Sequence, residues 1–188
     1  MDALDALLNR VSAPRLMAPA PDAAQRELLF RAALRAPDHG QLRPWRFLTV
    51  EGEALTQLGE VFASSLGADA SADALTKARA MPLRAPLLVV VIACLQANTK
   101  IPVQEQLLAA GCAAHGILLA AHAQGIGAVW RTGDMAYNSQ VAAGLGLDAH
   151  EQVIAYLYVG TPERELRAVP TLQVSDFVRR WPATDSPD

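Results

Sequence analysis

Arg35, His39 and Arg43 stand close together in the stretch RAPDHGQLRPW. Guanidinium forks and an imidazole in such proximity can hold an anion through charge-assisted hydrogen bonds. Two further clusters pair a cation with a small hydroxyl: Arg10 with Ser12, and Arg131 with Thr132. Taken singly, the arginines at helix ends have an ordinary account as charges that complement the helix dipole. Taken together, in a chain of net charge −3, they point to one anionic ligand shared between chain segments. The same net charge gives no broad basic field, so no nucleic-acid partner is expected.

Other chemistries are missing from the pattern. GIGAVW begins as G-x-G at Gly125, but Trp130 stands where a dinucleotide-binding turn needs its third glycine. It also precedes a strand, the reverse of the order that turn requires. No G-x-x-x-x-G-K-[ST] phosphate loop, no HExxH and no G-x-S-x-G elbow occurs. His115 and His122 have no carboxylate at helical spacing, so they read as core or interface histidines and no metal is expected. Cys94 and Cys112 match no metal or redox spacing and are expected as two buried thiols in a reducing compartment. No residue set for protein nucleophilic or acid–base catalysis emerges.

The elements that must position these groups follow from periodicity. The 188 residues fit a single domain, 1–188, and with 52% hydrophobic and 19% charged residues they can build a core. Leu4, Leu7 and Leu8 predict a short helix ending near Asn9 and Arg10; residues 11–21 are irregular, with three prolines. Asp22 and Gln25 form an aspartate version of the capping box for a second helix, which Pro37 stops. RFLTVEG predicts a strand, residues 53–66 a helix, 67–73 a mobile loop and 74–80 a weaker helix. PLLVVVIACL is a continuous apolar run, the pattern of a strand buried on both faces. Residues 104–124 predict a long helix closing at Gly125, GAVWRTG a strand, Asn138 the cap of a short helix, and residues 152–160 a last good strand. VPTLQVSDFVRRW is less regular. The order predicts an α+β sandwich with a central sheet of at least four strands.

The long helix is small or apolar on nearly every face, so protein must surround it. Gly111 and Gly116 each cost roughly 1 kcal/mol against alanine in a helix interior, and close approach of another backbone offsets that. A second subunit is the expected source of this cover; the alternative is the central helix of a monomer. The longest apolar run, residues 85–95, is shorter than the ~20 residues that span a bilayer. MDALDALLNR does not read as a signal peptide. A cytoplasmic protein without a membrane partner is expected.

Four segments, in order, resemble the nitroreductase family. NRVSAPR is similar to its N-R-R-S-x-R opening, and LRAPDHGQLRPWRFLTVEG to its A-P…Q-P-W-x-F segment. AAHAQGIGAVWRTG resembles its G-x-G-x-x-W…G segment, and YLYVGTP its late strand. The resemblance runs from Asp2 to Pro162 and is strongest to a short branch of the family. It implies a three-layer sandwich with a mixed or antiparallel central sheet, assembled as an intertwined homodimer with FMN sites at the interface. It implies that Arg10, Val11, Ser12, Trp130, Arg131 and Thr132 line FMN from one subunit, and that Arg35 and His39 reach it from the partner. It implies, less specifically, that Ala120, Ala121, His122, Ala123, Gln124 and Gly125 meet the nicotinamide nucleotide. Two departures stand out: Val11 replaces the second arginine of the opening, and Arg43 occupies the glutamine position before Pro44.

The implied activity is an FMN-dependent NAD(P)H oxidoreductase that reduces a small-molecule acceptor such as a nitroaromatic or a quinone. The cofactor carries the difficult chemistry, so no catalytic protein residue is required. Alternatives are other flavin redox chemistry on the same fold, or an FMN-binding protein without significant turnover.

Overall fold

The computed structural model describes residues 1–97 and 100–182. At its centre is β3 (Leu87–Cys94), the apolar run that the sequence marks as buried on both faces. Every side chain from Leu87 to Ala93 is closed to solvent. β3 pairs antiparallel with β2 (Trp45–Glu51) on one side and β5 (Glu151–Pro162) on the other. β4 (Gly127–Arg131) pairs antiparallel with the outer side of β5. A two-residue strand, β1 (Leu16–Met17), adds to the C-terminal end of β5, with Leu16 opposite Pro162. All pairings among the described residues are antiparallel. β1 falls in the stretch expected to be irregular, because two residues carry no period to read.

Helices cover both faces and complete the three-layer α+β sandwich. α2 (Ala23–Ala33) and α5 (Val103–Ala123) pack on Leu87, Val89, Val91 and Leu157. α3 (Glu53–Ser64), α4 (Ala72–Ala80) and α6 (Ser139–Gly144) pack over Leu88, Val90, Val129 and Tyr156. α1 (Ala3–Asn9) rests against α5. Strand alternation breaks once. Val91 pairs with Ala155 but Ile92 with Val153, so Ile154 is the extra residue of a β-bulge. Val153 therefore joins one core and Ala155 the other.

The local signals behave as their chemistry dictates. Gln25 N–H donates to Asp22 Oδ1 and Asp22 N–H to Gln25 Oε1, closing the capping box. Asn138 Oδ1 accepts from the amides of Gln140 and Val141. Ser71 accepts from Ala74 N–H, so α4 starts at Ala72 and the connection before it is shorter than the expected 67–73 loop.

α5 and the end of β3 bear on three expectations. A Cβ at Gly116 would stand 2.9 Å from the Ala32 carbonyl oxygen, so the close backbone approach comes from the chain's own α2 and not from a second subunit. Cys112 is exposed and Cys94 half-buried, where two buried thiols were expected. Position 112 lies with Leu108 and His115 on the stripe of α5 that points away from the sheet. By length and composition α5 is also apolar enough to cross a bilayer, which the run at 85–95 is not. Its Ala109, Ala110, Ala113, Ala114 and Ile117 instead pack into the core beside the sheet.

Arg46 and Glu151 clamp the ends of β2 and β5. Arg46 Nε and Nη2 each lie 2.6 Å from a Glu151 carboxylate oxygen. Asp148 N–H and the Cys94 thiol also donate to that carboxylate. The Arg46 hydrogen bonds hold Glu151 at about 2, below the ordinary 4.5, while burial pushes the Cys94 thiol up to about 11. A carboxyl with a depressed pKa stabilises the fold above its unfolded value and loses that contribution as pH falls through the folded value. Glu151→Gln is expected to lower the urea midpoint at pH 7, with the deficit shrinking from about pH 4.5 toward 2. Equal deficits at pH 7 and at pH 2.5 would show that the charge is not the source.

Candidate functional site

The sequence-derived cations gather on two flanks of the sheet. The first is the β4 flank. α1 ends at Arg10, whose backbone turns extended (φ −62°, ψ 127°) and leads the chain toward the sheet. Ala13 N–H donates to the Ala128 carbonyl at 3.0 Å, which ties residues 10–13 beside β4. Arg10, Val11 and Ser12 are half-buried there. Ser12 opens on a cavity of about 190 Å³ whose other walls include Arg15, Arg164 and Arg167. Arg164 and Arg167 were missed by sequence reasoning. They lie past β5 in a stretch without periodicity, and only the fold brings them to Ser12.

Trp130 and Arg131 are neighbours on β4 and therefore point to opposite faces. Trp130 turns to the α5 layer, where Gly111 makes room for it; a Cβ at Gly111 would meet its ring at 3.9 Å. Arg131 turns to the other layer, with its guanidinium carbon 6.0 Å from the centre of the Tyr158 ring. Its Nε is buried and, among the described residues, has no hydrogen-bond partner. Burial raises the Tyr158 phenol, against the opposing pull of Arg84 and Arg131. Thr132 follows, half-buried, before the Gly133 turn.

The second flank is β2. α2 ends at Leu34, and the amides of Arg35 and Ala36 close onto the carbonyls of Ala32 and Ala33. Arg35 is exposed. His39 Nδ1 lies 2.6 Å from Glu105 Oε2 in the first turn of α5. Between α2 and β2 is a cavity of about 450 Å³, with Arg35, Asp38, Arg43 and Trp45 among its walls.

β4 and β2 are separated by β5 and β3, three strand spacings of ~4.8 Å, or roughly 14 Å. Within one chain the Ala13–Ala128 hydrogen bond ties the segment of Arg10, Val11 and Ser12 to the strand that carries Trp130 and Arg131, while Arg35 and His39 stand on the other flank. The segment Ala120 to Gly125 closes α5 and leads into β4. It lies about ten helical residues beyond the Gly111–Trp130 contact, roughly 15 Å along the axis. Ala121 is closed in the core, Ala120, His122 and Gln124 are half-buried, and Ala123 and Gly125 are exposed. Gln124 Nε2 donates to the carbonyls of Ala120 and Gln25, and His122 Nε2 is buried without a partner among the described residues. Asp148, His150 and Glu151 could crowd a metal ion, but Glu151 is already taken by Arg46. His115 and His122 take no part in that group.

The architecture is one already known in solved structures. The nitroreductase-like family protein of Bacillus cereus superposes with a TM-score of 0.86 at 19% identity, covering 97% of each chain. A point mutant of the FMN- and NADPH-dependent nitroreductase NfnB, from Sphingopyxis sp. strain HMH, superposes at 0.75 and 18% identity, covering 96% of this chain and 99% of that one. Sequence carries the relation further. YdjA of Escherichia coli (strain K12), provisionally named an NAD(P)H nitroreductase, is 41% identical over 177 residues, 94% of this chain and 96% of its own. The Nitroreductase family pattern matches residues 8–161, and the chain belongs to the nitroreductase family.

The buried, unpaired Nε of Arg131 has a measurable cost. An unsatisfied buried donor costs about 1–3 kcal/mol. Arg131→Met, which keeps the stem and removes the donor, is expected to hold or raise the melting temperature of the ligand-free protein. A drop of several degrees would mean that the guanidinium is there to support the fold and not a ligand.

Proposed function

We propose that the protein is an FMN-dependent NAD(P)H oxidoreductase acting as a cytoplasmic homodimer, with a nitroaromatic or quinone as the type of acceptor. The observation that carries this reading is the cation and hydroxyl set on the β4 flank. The Arg10–Ser12 segment is tied to β4 through Ala13 and Ala128, three more arginines surround the Ser12 cavity, and Arg131 holds a buried donor without a partner among the described residues. Such a set fits a ligand that is anionic at one end and flat and polar-edged at the other, as FMN is. The names of relatives agree: NfnB is FMN- and NADPH-dependent, and YdjA is named for NAD(P)H.

Bound FMN would supply the two-electron chemistry, taking a hydride from NAD(P)H and passing electrons to the acceptor. This chain's residues hold and tune it. Ser12 with Arg10, Arg164 and Arg167 would neutralise the phosphate. Trp130 would wall the site from the α5 side, with Val11 and Thr132 adding backbone contacts. Positive charge from Arg10 or Arg131 near the pyrimidine edge would favour the reduced, anionic form. The Ala120–Gly125 turn, at the end of α5 that leads into β4, would meet the nicotinamide nucleotide.

The roughly 14 Å between the β4 and β2 flanks, three strand spacings, supports assembly in pairs. If Arg35 and His39 line the same flavin as Arg10, they come from a second copy. Large apolar side chains left uncovered in the single chain supply the surface: Leu108 on α5, and Leu172, Phe177 and Trp181 on the arm that follows β5.

The purified protein is expected to be yellow and to release FMN, not FAD, on denaturation; recovery of FAD, or of no flavin after reconstitution with FMN, would sink the cofactor reading. Steady-state oxidation of NADH or NADPH with menadione separates an enzyme from a flavin carrier. Charge-assisted hydrogen bonds are worth ~1.5–3 kcal/mol each, so Arg10→Ala should weaken FMN affinity by roughly ten- to a hundredfold, with partial recovery in Arg10→Lys. Fluorescence titration of folded apoprotein checks this, and unchanged affinity removes Arg10 from the site. Sedimentation at low micromolar concentration should show dimer without monomer, and a stable FMN-binding monomer would refute the trans role of Arg35 and His39.

A further inference from the structure

The cavity on the β2 flank has features that holding FMN does not account for. Its apolar wall is Leu34, Ala36 and Trp45; its polar groups are Arg35, Asp38, Gln41 and Arg43. Arg35 alone is explained by the end of α2, whose carbonyl pole a cation offsets. Arg43 has no such account. Its φ is +49°, in the left-handed region that side chains rarely adopt, and it precedes Pro44, which further restricts it. Gln41 (φ +53°) and Gly40 (φ +72°) share the distortion, and a Cβ at Gly40 would run into Ile101. Two hydrogen bonds hold the loop there: Arg43 N–H to Asp38 Oδ2 at 2.7 Å and Trp45 N–H to the Arg43 carbonyl at 2.8 Å. Strain of this kind collects at ligand clamps.

Charge points the same way. Among the described residues, neither the Arg35 nor the Arg43 guanidinium has a hydrogen bond or ion pair, while Asp38 already accepts from the Arg43 amide. Two arginines against one aspartate leave one net positive charge on the cavity walls. A volume of about 450 Å³ lies within the ~300–1,000 Å³ of small-molecule sites. An indole and two aliphatic walls suit a flat ring, and a guanidinium fork suits a carboxylate.

We infer that this cavity binds a planar organic anion, an aromatic ring bearing a carboxylate, with Arg43 as its anchor. Placed beside Arg35 and His39, the ligand would be the electron acceptor. That use rests on the flavin reading; the binding itself does not.

The test is calorimetric titration of the protein as purified with benzoate, benzamide, inorganic phosphate and 2′-phospho-ADP-ribose. Benzoate is expected to bind at least tenfold more tightly than its neutral amide. Arg43→Asn should lower benzoate affinity about tenfold or more, the loss of one charge-assisted contact, and Arg43→Lys should recover part of it. Asparagine is chosen because it tolerates the left-handed backbone, and a wild-type melting temperature confirms that the variant is folded. Benzoate binding indifferent to Arg43 overturns the assignment. So does binding of phosphate or of the phospho-nucleotide in place of benzoate, or no binding at all. A protein that takes benzoate but no FMN removes the flavin reading and leaves this one standing; one that takes FMN but no benzoate does the reverse.

Discussion

The double pairing of β3 is the constraint from which the rest of the molecule follows. A strand flanked by β2 and β5, with Leu87 to Ala93 all apolar and all closed to solvent, needs helices on both faces. That requirement places α2 and α5 on one side and α3, α4 and α6 on the other. It also decides which residues become flanks. With β3 and β5 in the middle, β2 and β4 become the flanks: Arg35 and Arg43 stand on the segment that enters β2, and Arg131 ends β4.

Much of this was legible in the chain, for reasons that can be named. The apolar run of β3, the Asp22–Gln25 box and the Asn138 cap are local signals, each set by a few neighbouring residues. The covering of Gly116 by the backbone of Ala32 was not legible, because a glycine announces a close neighbour without saying which. β1 was too short to show a period, and Arg164 and Arg167 reach Ser12 only through the tertiary path of the chain. Alternation along GAVWRTG, by contrast, already implies that Trp130 and Arg131 face opposite layers.

The site groups are poorly satisfied by the fold itself. Arg131 buries a donor without an acceptor, and Arg43 occupies backbone space that Pro44 disfavours. The clamp of Arg46 on Glu151 is the opposite case: a carboxylate with its oxygens fully engaged. Satisfied polar groups fasten the sheet, and unsatisfied ones lie where a ligand is proposed.

The arm after β5 bears on the life of the protein as it is made. Between Val169 and Trp181 it exposes six large apolar side chains and forms only one 3₁₀ turn. An extended segment of that kind is open to proteases and to unspecific association until something covers it. If the cover is another copy, protection is a second-order process. Dilute, newly synthesised chains would then be cleared faster than concentrated ones, and the amount of protein a cell retains would rise more steeply than its rate of synthesis.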